Sequence, residues 1–233
     1  MHSVIAAIPE EELLALARRF EGTKPDPGIH ARDGILVATD NRILLHVESP
    51  AVKDIDGSSA KIVNFRPEQA QRVAGADWVM GELAPRVSAD YARAEQRLLE
   101  KRERFEAETR ARTRRCPCCG APAVVDDDGN LHDIDEYLAE ELPDMVHNSP
   151  SVWLHFGGAR LPRKISLHYL ATALDAARRL GGDAELWIGE GIQVILWGAG
   201  FFVVIAMMLP DSRDDEHDID IEVPAADDGR AAP

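Results

Sequence analysis

The sequence predicts an α+β fold in which a unit of one strand, one helix and three strands (βαβββ) occurs at both ends of the chain, with a charged helical insertion between them. Both helices end in the same pattern, Ala-Arg-Arg-apolar-x-Gly, at residues 17–22 and 177–182. Residues 84–115 are helix-forming and heavily charged, which indicates a segment outside the sheet. The longest apolar run, 191–209, has glycines at its centre, where a turn between two strands needs backbone freedom.

The composition is typical of a globular chain that folds around an apolar core. Of its 233 residues, 45% are hydrophobic, and the formal net charge is −15. An acidic total argues against broad coating of nucleic acid but is compatible with a local basic stripe. Residues 1–3 have no basic segment followed by a long apolar one, so we expect a cytoplasmic location without a secretory signal. All three cysteines lie within residues 116–119, too close together for a disulfide framework.

The N-terminal unit is predicted to begin with a short buried strand at residues 3–8. Pro9 then opens a helix, because proline suits the first helical position and the glutamates after it suit the positive end of the helix dipole. Gly22 ends this helix. Three strands are expected next, at residues 28–32, 35–39 and 43–48. Residues 61–65 and 66–74 are expected to form a strand and a helix that begin a second copy of the unit.

The charged segment 84–115 is predicted to be one long helix. One interpretation is a solvated helix with charge pairs between residues four apart. The other is an arm that contacts DNA or a protein partner. A sustained heptad of apolar residues is absent from the sequence of this segment, so we do not predict a coiled coil.

Residues 116–120, Cys-Pro-Cys-Cys-Gly, have the spacing of a zinc-ribbon knuckle, a tight turn that directs two thiolates at one metal. A structural zinc ion takes four ligands. The predicted ligands are Cys116, Cys119, His132 and either Cys118 or His147. Residues 123–125 and 130–132 are expected to form a small hairpin beside them. The sequence contains no catalytic zinc motif such as HExxH, so the metal is expected to be structural.

The C-terminal part is predicted to repeat the unit of the N terminus after an acidic helix at 133–145. The expected elements are strands at 151–156 and 161–166, a helix at 167–180 and a strand at 184–188. The apolar run then has two interpretations. Strands 192–197 and 201–207 can form a hairpin, or residues 192–209 can form a membrane-spanning helix of about the minimum length. The hairpin is favoured because glycines sit where a helix least tolerates them.

These elements predict four regions along the chain. They are a first unit with the start of a second (1–83), the charged and cysteine-containing insertion (84–147), the C-terminal unit (148–210) and an acidic flexible tail (211–233).

A repeated βαβββ unit is the building block of DNA sliding clamps, and three segments resemble the bacterial β-clamp type and its phage and plasmid relatives. Residues 37–44, Val-Ala-Thr-Asp-Asn-Arg-Ile-Leu, resemble the V-A-T-D-G-x-R-L hairpin of that family, with Asn41 in place of glycine. Residues 169–174, Tyr-Leu-Ala-Thr-Ala-Leu, resemble its Y-L-x-x-A-L helix. Residues 203–210 resemble its final strand, without the usual Met-Pro order.

The resemblance implies a non-enzymatic ring protein whose helices face duplex DNA and whose basic residues contact phosphates without reading sequence. It also implies a homo-oligomer, and a DNA polymerase or another replication protein as partner. The DNA-binding candidates carried over by position are Arg18, Arg19, Arg66, Arg72, Lys164, Arg178 and Arg179. The alternative for each arginine pair is that it complements the negative C-terminal end of its helix.

Two other functions fit parts of the sequence. One is a zinc-ribbon interaction or regulatory protein that does not encircle DNA. The other is a protein anchored in a membrane by residues 192–209. An enzyme is not expected, because the isolated pairs His132-Asp133 and His217-Asp218 supply too few ligands for metal-dependent hydrolysis.

Overall fold

A computed structural model of the chain describes residues 8–21, 28–67, 69–126, 129–138, 150–157, 162–189, 193–208 and 218–224. The fold combines helices with antiparallel sheets, which confirms the predicted mixture of α and β structure. The chain divides into two compact units, Met1–Ser88 with Pro150–Pro233, and Ala89–Ser149. The predicted strand at residues 3–8 lies almost wholly outside the described residues.

The strands are β1 (Ile29–Arg32), β2 (Ile35–Thr39), β3 (Ile43–Glu48), β4 (Gln71–Ala74), β5 (Arg114–Arg115), β6 (Pro122–Val125), β7 (Leu131–Asp133), β8 (Ser151–Phe156), β9 (Arg163–Ser166), β10 (Ala184–Ile188), β11 (Gln193–Gly198), β12 (Phe201–Ala206) and β13 (Ile219–Val223). The helices are α1 (Glu10–Ala17), α2 (Ala60–Val63), α3 (Ala76–Trp78), α4 (Ala84–Ala111) and α5 (Leu167–Arg179), and residues 134–138 are also helical.

A seven-stranded antiparallel sheet forms the centre of the larger unit, in the order β1-β2-β3-β12-β11-β10-β4. Its two halves are three-stranded meanders, β1-β2-β3 and β10-β11-β12, and each follows a helix, α1 or α5. The meanders join where β3 pairs with β12, with Val47 opposite Phe201 and Ile43 opposite Ile205.

The apolar run is a β-hairpin, as the favoured interpretation predicted. Strands β11 and β12 pair antiparallel from Gln193–Ala206 to Gly198–Phe201. Gly200 has a φ of +77°, a conformation that glycine adopts without strain. A Cβ on Gly198 would overlap the Phe201 ring and lie 2.7 Å from the Asp183 carbonyl oxygen. Within the described ranges, no helix is both long and apolar enough to cross a membrane, so the alternative of a helix at 192–209 is wrong.

Both faces of this sheet are covered. Helix α1 packs against β2, and α5 packs against β11 and β12. An ion pair joins Arg19 to Asp175, so the two helices are neighbours on one face. On the other face, an apolar cluster is formed by Ala70, which precedes β4, together with residues of β10, β11 and β12. Its buried members are Ala70, Trp187, Ile195, Phe202 and Val204.

The segment between the meanders differs from the prediction. Residues 61–65 were expected to be a strand and residues 66–74 a helix, but α2 occupies Ala60–Val63 and β4 occupies Gln71–Ala74. Val73 and Ala74 are buried, because β4 completes the sheet by pairing with β10. That pairing partner is more than a hundred residues away in sequence, so local propensity did not reveal it.

A second sheet of the larger unit corrects the interpretation of residues 211–233 as a flexible tail for residues 218–224, the part of that range that the structure describes. Strand β13 pairs parallel with β8, and β9 pairs antiparallel with β8. Ile221 and Val223 are buried while Asp220 and Glu222 are exposed, an alternation that suits a half-buried strand. Five residues of this pattern are enough to dock on β8, although the surrounding sequence is acidic.

The smaller unit contains most of α4 and a three-stranded sheet in the order β5-β6-β7. The long charged helix is confirmed, with 28 residues from Ala84 to Ala111. The predicted small hairpin is also confirmed, with Val124 opposite His132. The unit has its own small core, in which Val124, Ile134 and Leu138 are buried.

Candidate functional site

An arginine cluster lies where the two sheet-covering helices end. After Ala17 the first helix tightens into a 3₁₀ turn, Arg18–Phe20, that leaves Arg18 and Arg19 exposed while Phe20 is buried. The last turn of α5 carries Arg178 and Arg179, which are also exposed. The fold therefore brings Arg19 close to Arg178 and Arg179, since all three contact one carboxylate.

That carboxylate belongs to Asp175, one turn before the arginine pair. It accepts hydrogen bonds from Arg19 Nη1, Arg178 Nη2 and, at 2.8 Å, Arg179 Nε. Partial burial of Asp175 opposes its ionisation, but the hydrogen bonds from the arginines outweigh burial and lower the pKa of its carboxyl to about 2. At neutral pH three guanidinium groups share one negative charge, so the cluster is net positive.

Asp175 was not among the sequence candidates. Its spacing of three and four residues from Arg178 and Arg179 was a local signal for intrahelical ion pairs. The contact with Arg19, 156 residues away, had no signal in the sequence.

Arg66 and Arg72 lie on the opposite face of the sheet, so the structure does not join them to the cluster. Arg66 donates to His46 Nε2 at 2.6 Å and pairs with Glu48 at 3.2 Å. His46 in turn stacks on Phe202 of the apolar cluster. Arg72 pairs with Glu185 at 2.9 Å.

Lys164, a predicted DNA contact, is buried, with its side chain 9% exposed. Its Nζ lies 3.6 Å from Asp218 Oδ2 and 5.5 Å from the centre of the Trp153 ring. Asp218 also accepts a hydrogen bond from Trp153 Nε1 at 2.8 Å. The docking of β13 explains this burial, because Asp218 directly precedes that strand.

The cysteine knuckle is the turn between β5 and β6. The Cys116 amide donates to the Ala121 carbonyl, and the Gly120 amide donates to the Cys116 carbonyl, both at 2.8 Å. Gly120 has a φ of +77°, which suits glycine. The three sulfur atoms of Cys116, Cys118 and Cys119 lie within 4.8 Å of one another, and Cys116 Sγ is 2.8 Å from Cys118 Sγ.

Hydrogen bonds within the knuckle make one thiol, that of Cys116, easier to ionise than that of Cys118. Donation from the Cys118 thiol, and then from the backbone amides of Cys118 and Cys119, lowers the pKa of Cys116 to about 7. The same hydrogen bonding, with Cys116 and Cys119 as partners, raises the pKa of Cys118 to about 11. Cys116 is therefore the thiol that ionises most readily of these two.

The cysteines could hold a metal ion, since tetrahedral zinc–sulfur bonds of about 2.3 Å need sulfur atoms about 3.8 Å apart. His132 is not part of this group, and its Nε2 lies instead 2.9 Å from Asp126 Oδ2. Among the residues that the structure describes, the metal-binding cluster consists of these three sulfurs. His147, the alternative ligand, lies outside the described residues.

No known family model matches the chain, and no curated protein matches it.

Proposed function

We propose that this protein is a non-enzymatic accessory protein of DNA replication that resembles a sliding clamp and contacts duplex DNA through the arginine cluster. One observation carries the proposal: the basic ends of α1 and α5 meet on one face of a continuous antiparallel sheet, at Asp175. In the sliding clamps that the sequence resembles, helices of this kind form the surface that faces DNA. A DNA polymerase or another replication protein is the expected protein partner.

The arrangement of the sheet supports the relation to clamps. Each helix precedes a three-stranded meander, and the third strands pair with each other, so the αβββ part of the predicted unit occurs twice. The strand before α5 departs from that unit, because β9 pairs with β8 in the second sheet. Two of the clamp-like segments also meet: Tyr169 Oη donates to Asp40 Oδ2 at 2.8 Å. Asn41, which replaces the glycine of the clamp hairpin, has a φ of +71°, a conformation that asparagine tolerates better than most residues.

The charges of the cluster suit phosphate rather than base contacts. Its guanidinium groups project from helix ends, and the side chains of Arg178 and Arg179 are 72% and 61% exposed. Such contacts depend on salt, because binding releases counterions from DNA. If Arg18, Arg19, Arg178 and Arg179 each neutralise one phosphate, the slope of log K against log salt is about −3.6.

Duplex binding by the double variant Arg178→Glu and Arg179→Glu tests the proposal. We expect weaker binding and a shallower salt slope than for the unmodified chain. A control of equal charge change, Arg32→Glu with Lys61→Glu on β1 and α2, should retain most of the binding. Absence of duplex binding by the unmodified chain, or an equal loss in both variants, would contradict the proposal.

The knuckle is proposed to hold a structural zinc ion, with Cys116 and Cys119 as ligands. The exposed thiols of Cys118 and Cys119 also favour the second function, a zinc-ribbon interaction or regulatory protein without DNA encirclement. Loss of protein-partner binding in Cys116→Ser, together with no DNA binding by the unmodified chain, would favour that function over the first.

A further inference from the structure

The cysteine knuckle provides fewer ligands than a structural zinc site uses. Such a site is closed by four protein ligands in a tetrahedron. The described part of the chain brings three sulfurs together, and two of them, Cys118 and Cys119, are adjacent in sequence and exposed. His132 is held by Asp126 and lies beside Tyr137, with the ring centres 5.7 Å apart and the rings tilted by 45°.

The turn itself presents two of the sulfurs as a pair. Hydrogen bonds across the turn fix the backbone from Cys116 to Ala121. Cys116 and Cys119 are separated by two residues, the spacing by which one knuckle supplies half of a four-sulfur site. A second identical knuckle would complete the tetrahedron.

The charges around the knuckle permit two copies to approach each other. A zinc ion with four thiolates has a net charge of about −2. Arg114 and Arg115, directly before the knuckle, are exposed, and Arg115 Nη1 lies 3.5 Å from the Gly120 carbonyl oxygen. Two chains would therefore bring at least the two Arg115 guanidinium groups close to the anionic centre, which offsets part of its charge.

We propose that two copies of this chain share one zinc ion at the knuckle, with Cys116 and Cys119 of each copy as the four ligands. Cys119 is exposed and Cys116 partly exposed, so a partner copy can reach both sulfurs and enclose the ion. Cys118 is not a ligand in this arrangement. The proposal rests on the proposed zinc binding but not on DNA binding.

The test measures zinc content and molar mass on the same sample of the full chain, by metal analysis and light scattering. We expect about one zinc ion for every two chains and the mass of a dimer. Removal of zinc with a chelator should halve the mass, and zinc alone should restore it. Cys118→Ser should behave like the unmodified chain, whereas Cys116→Ser and Cys119→Ser should be monomeric and free of zinc.

Circular dichroism shows whether each variant is folded, so that loss of zinc can be distinguished from loss of folding. Because the larger unit has its own core, we expect the knuckle variants to keep its secondary structure. One zinc ion per monomer would overturn the proposal and indicate a site closed within one chain. A dimer that persists after chelation, or loss of zinc in Cys118→Ser, would also overturn it. Absence of zinc from the unmodified chain would overturn both this proposal and the proposal that the knuckle holds a structural zinc ion. Duplex binding is tested separately, with the variants at Arg178 and Arg179.

Discussion

Replacement of Asp175 by asparagine should weaken folding and strengthen DNA binding at the same time. The carboxylate of Asp175 holds Arg19, Arg178 and Arg179, and its own side chain is 18% exposed. Asparagine keeps the shape but removes the negative charge that the three arginines share. A purely structural ion-pair network predicts the loss of stability alone, so the two readouts together test the function.

The loss of stability can be bounded from the pKa of Asp175. That pKa falls from an ordinary 3.8 to about 2, which corresponds to at most about 2.4 kcal/mol. The arginines are 43% to 72% exposed, so solvent screening reduces the expected loss to about 1 kcal/mol. Because the folded-state pKa is lowered, this contribution is fully present above pH 3.8 and disappears as the pH falls through about 2.

The gain in DNA affinity comes from one unit of positive charge. An interaction of about 1 kcal/mol between screened charges 4 Å apart corresponds to about fivefold tighter binding. Fluorescence anisotropy with a labelled duplex measures the affinity, and denaturant unfolding at neutral and acidic pH measures the stability. Asp56→Asn, an exposed site on the 51–59 loop, has the same charge change and should alter both quantities much less. Unchanged or weaker duplex binding by Asp175→Asn would refute the role of the cluster in phosphate contact.

Two further predictions concern the docking of β13, which the sequence did not predict, and the hairpin of β11 and β12, which it did. Asp218→Asn should destabilise the protein by about 3 kcal/mol in denaturant unfolding, because it leaves the buried Lys164 ammonium without its counter-charge. Gly198→Ala should lower the free energy of unfolding by about 1–3 kcal/mol, because the added methyl group overlaps the Phe201 ring in the hairpin.

Matched variants exist for both changes. Glu222→Gln removes an exposed charge from β13 and should have little effect. Gly75→Ala adds a methyl group that meets no atom within 4 Å and should be tolerated. If Asp218→Asn is as stable as Glu222→Gln, the docking of β13 does not depend on the ion pair. Equal stability of the two glycine variants would show that the hairpin turn relaxes without cost.

The features predicted correctly from the sequence depend on neighbours along the chain. The hairpin of β11 and β12 follows from an apolar run interrupted at Gly198 and Gly200, and the long helix α4 follows from residues with high helix propensity. The knuckle follows from the spacing of Cys116 and Cys119, which a single turn of backbone sets. In each case the deciding contacts span only a few residues.

The features that the sequence did not predict depend on distant partners. Residues 211–233 are acidic overall, yet Ile221 and Val223, which alternate with Asp220 and Glu222, dock on β8 and bring Asp218 to Lys164. The opposite placement of Arg66, on the far face of the sheet, follows from its contact with His46 on β3. Side-chain surroundings of this kind depend on sheet pairing, which local propensity does not specify.

The sequence by itself determined that arginine pairs end two helices, because a helix end and its charges are local properties. Only the tertiary structure decided that Arg19 meets Arg178 and Arg179 at Asp175, since that requires β3 to pair with β12 and both helices to share one face. The physical reason is that side chains 156 residues apart interact only after the sheet has closed the distance between them.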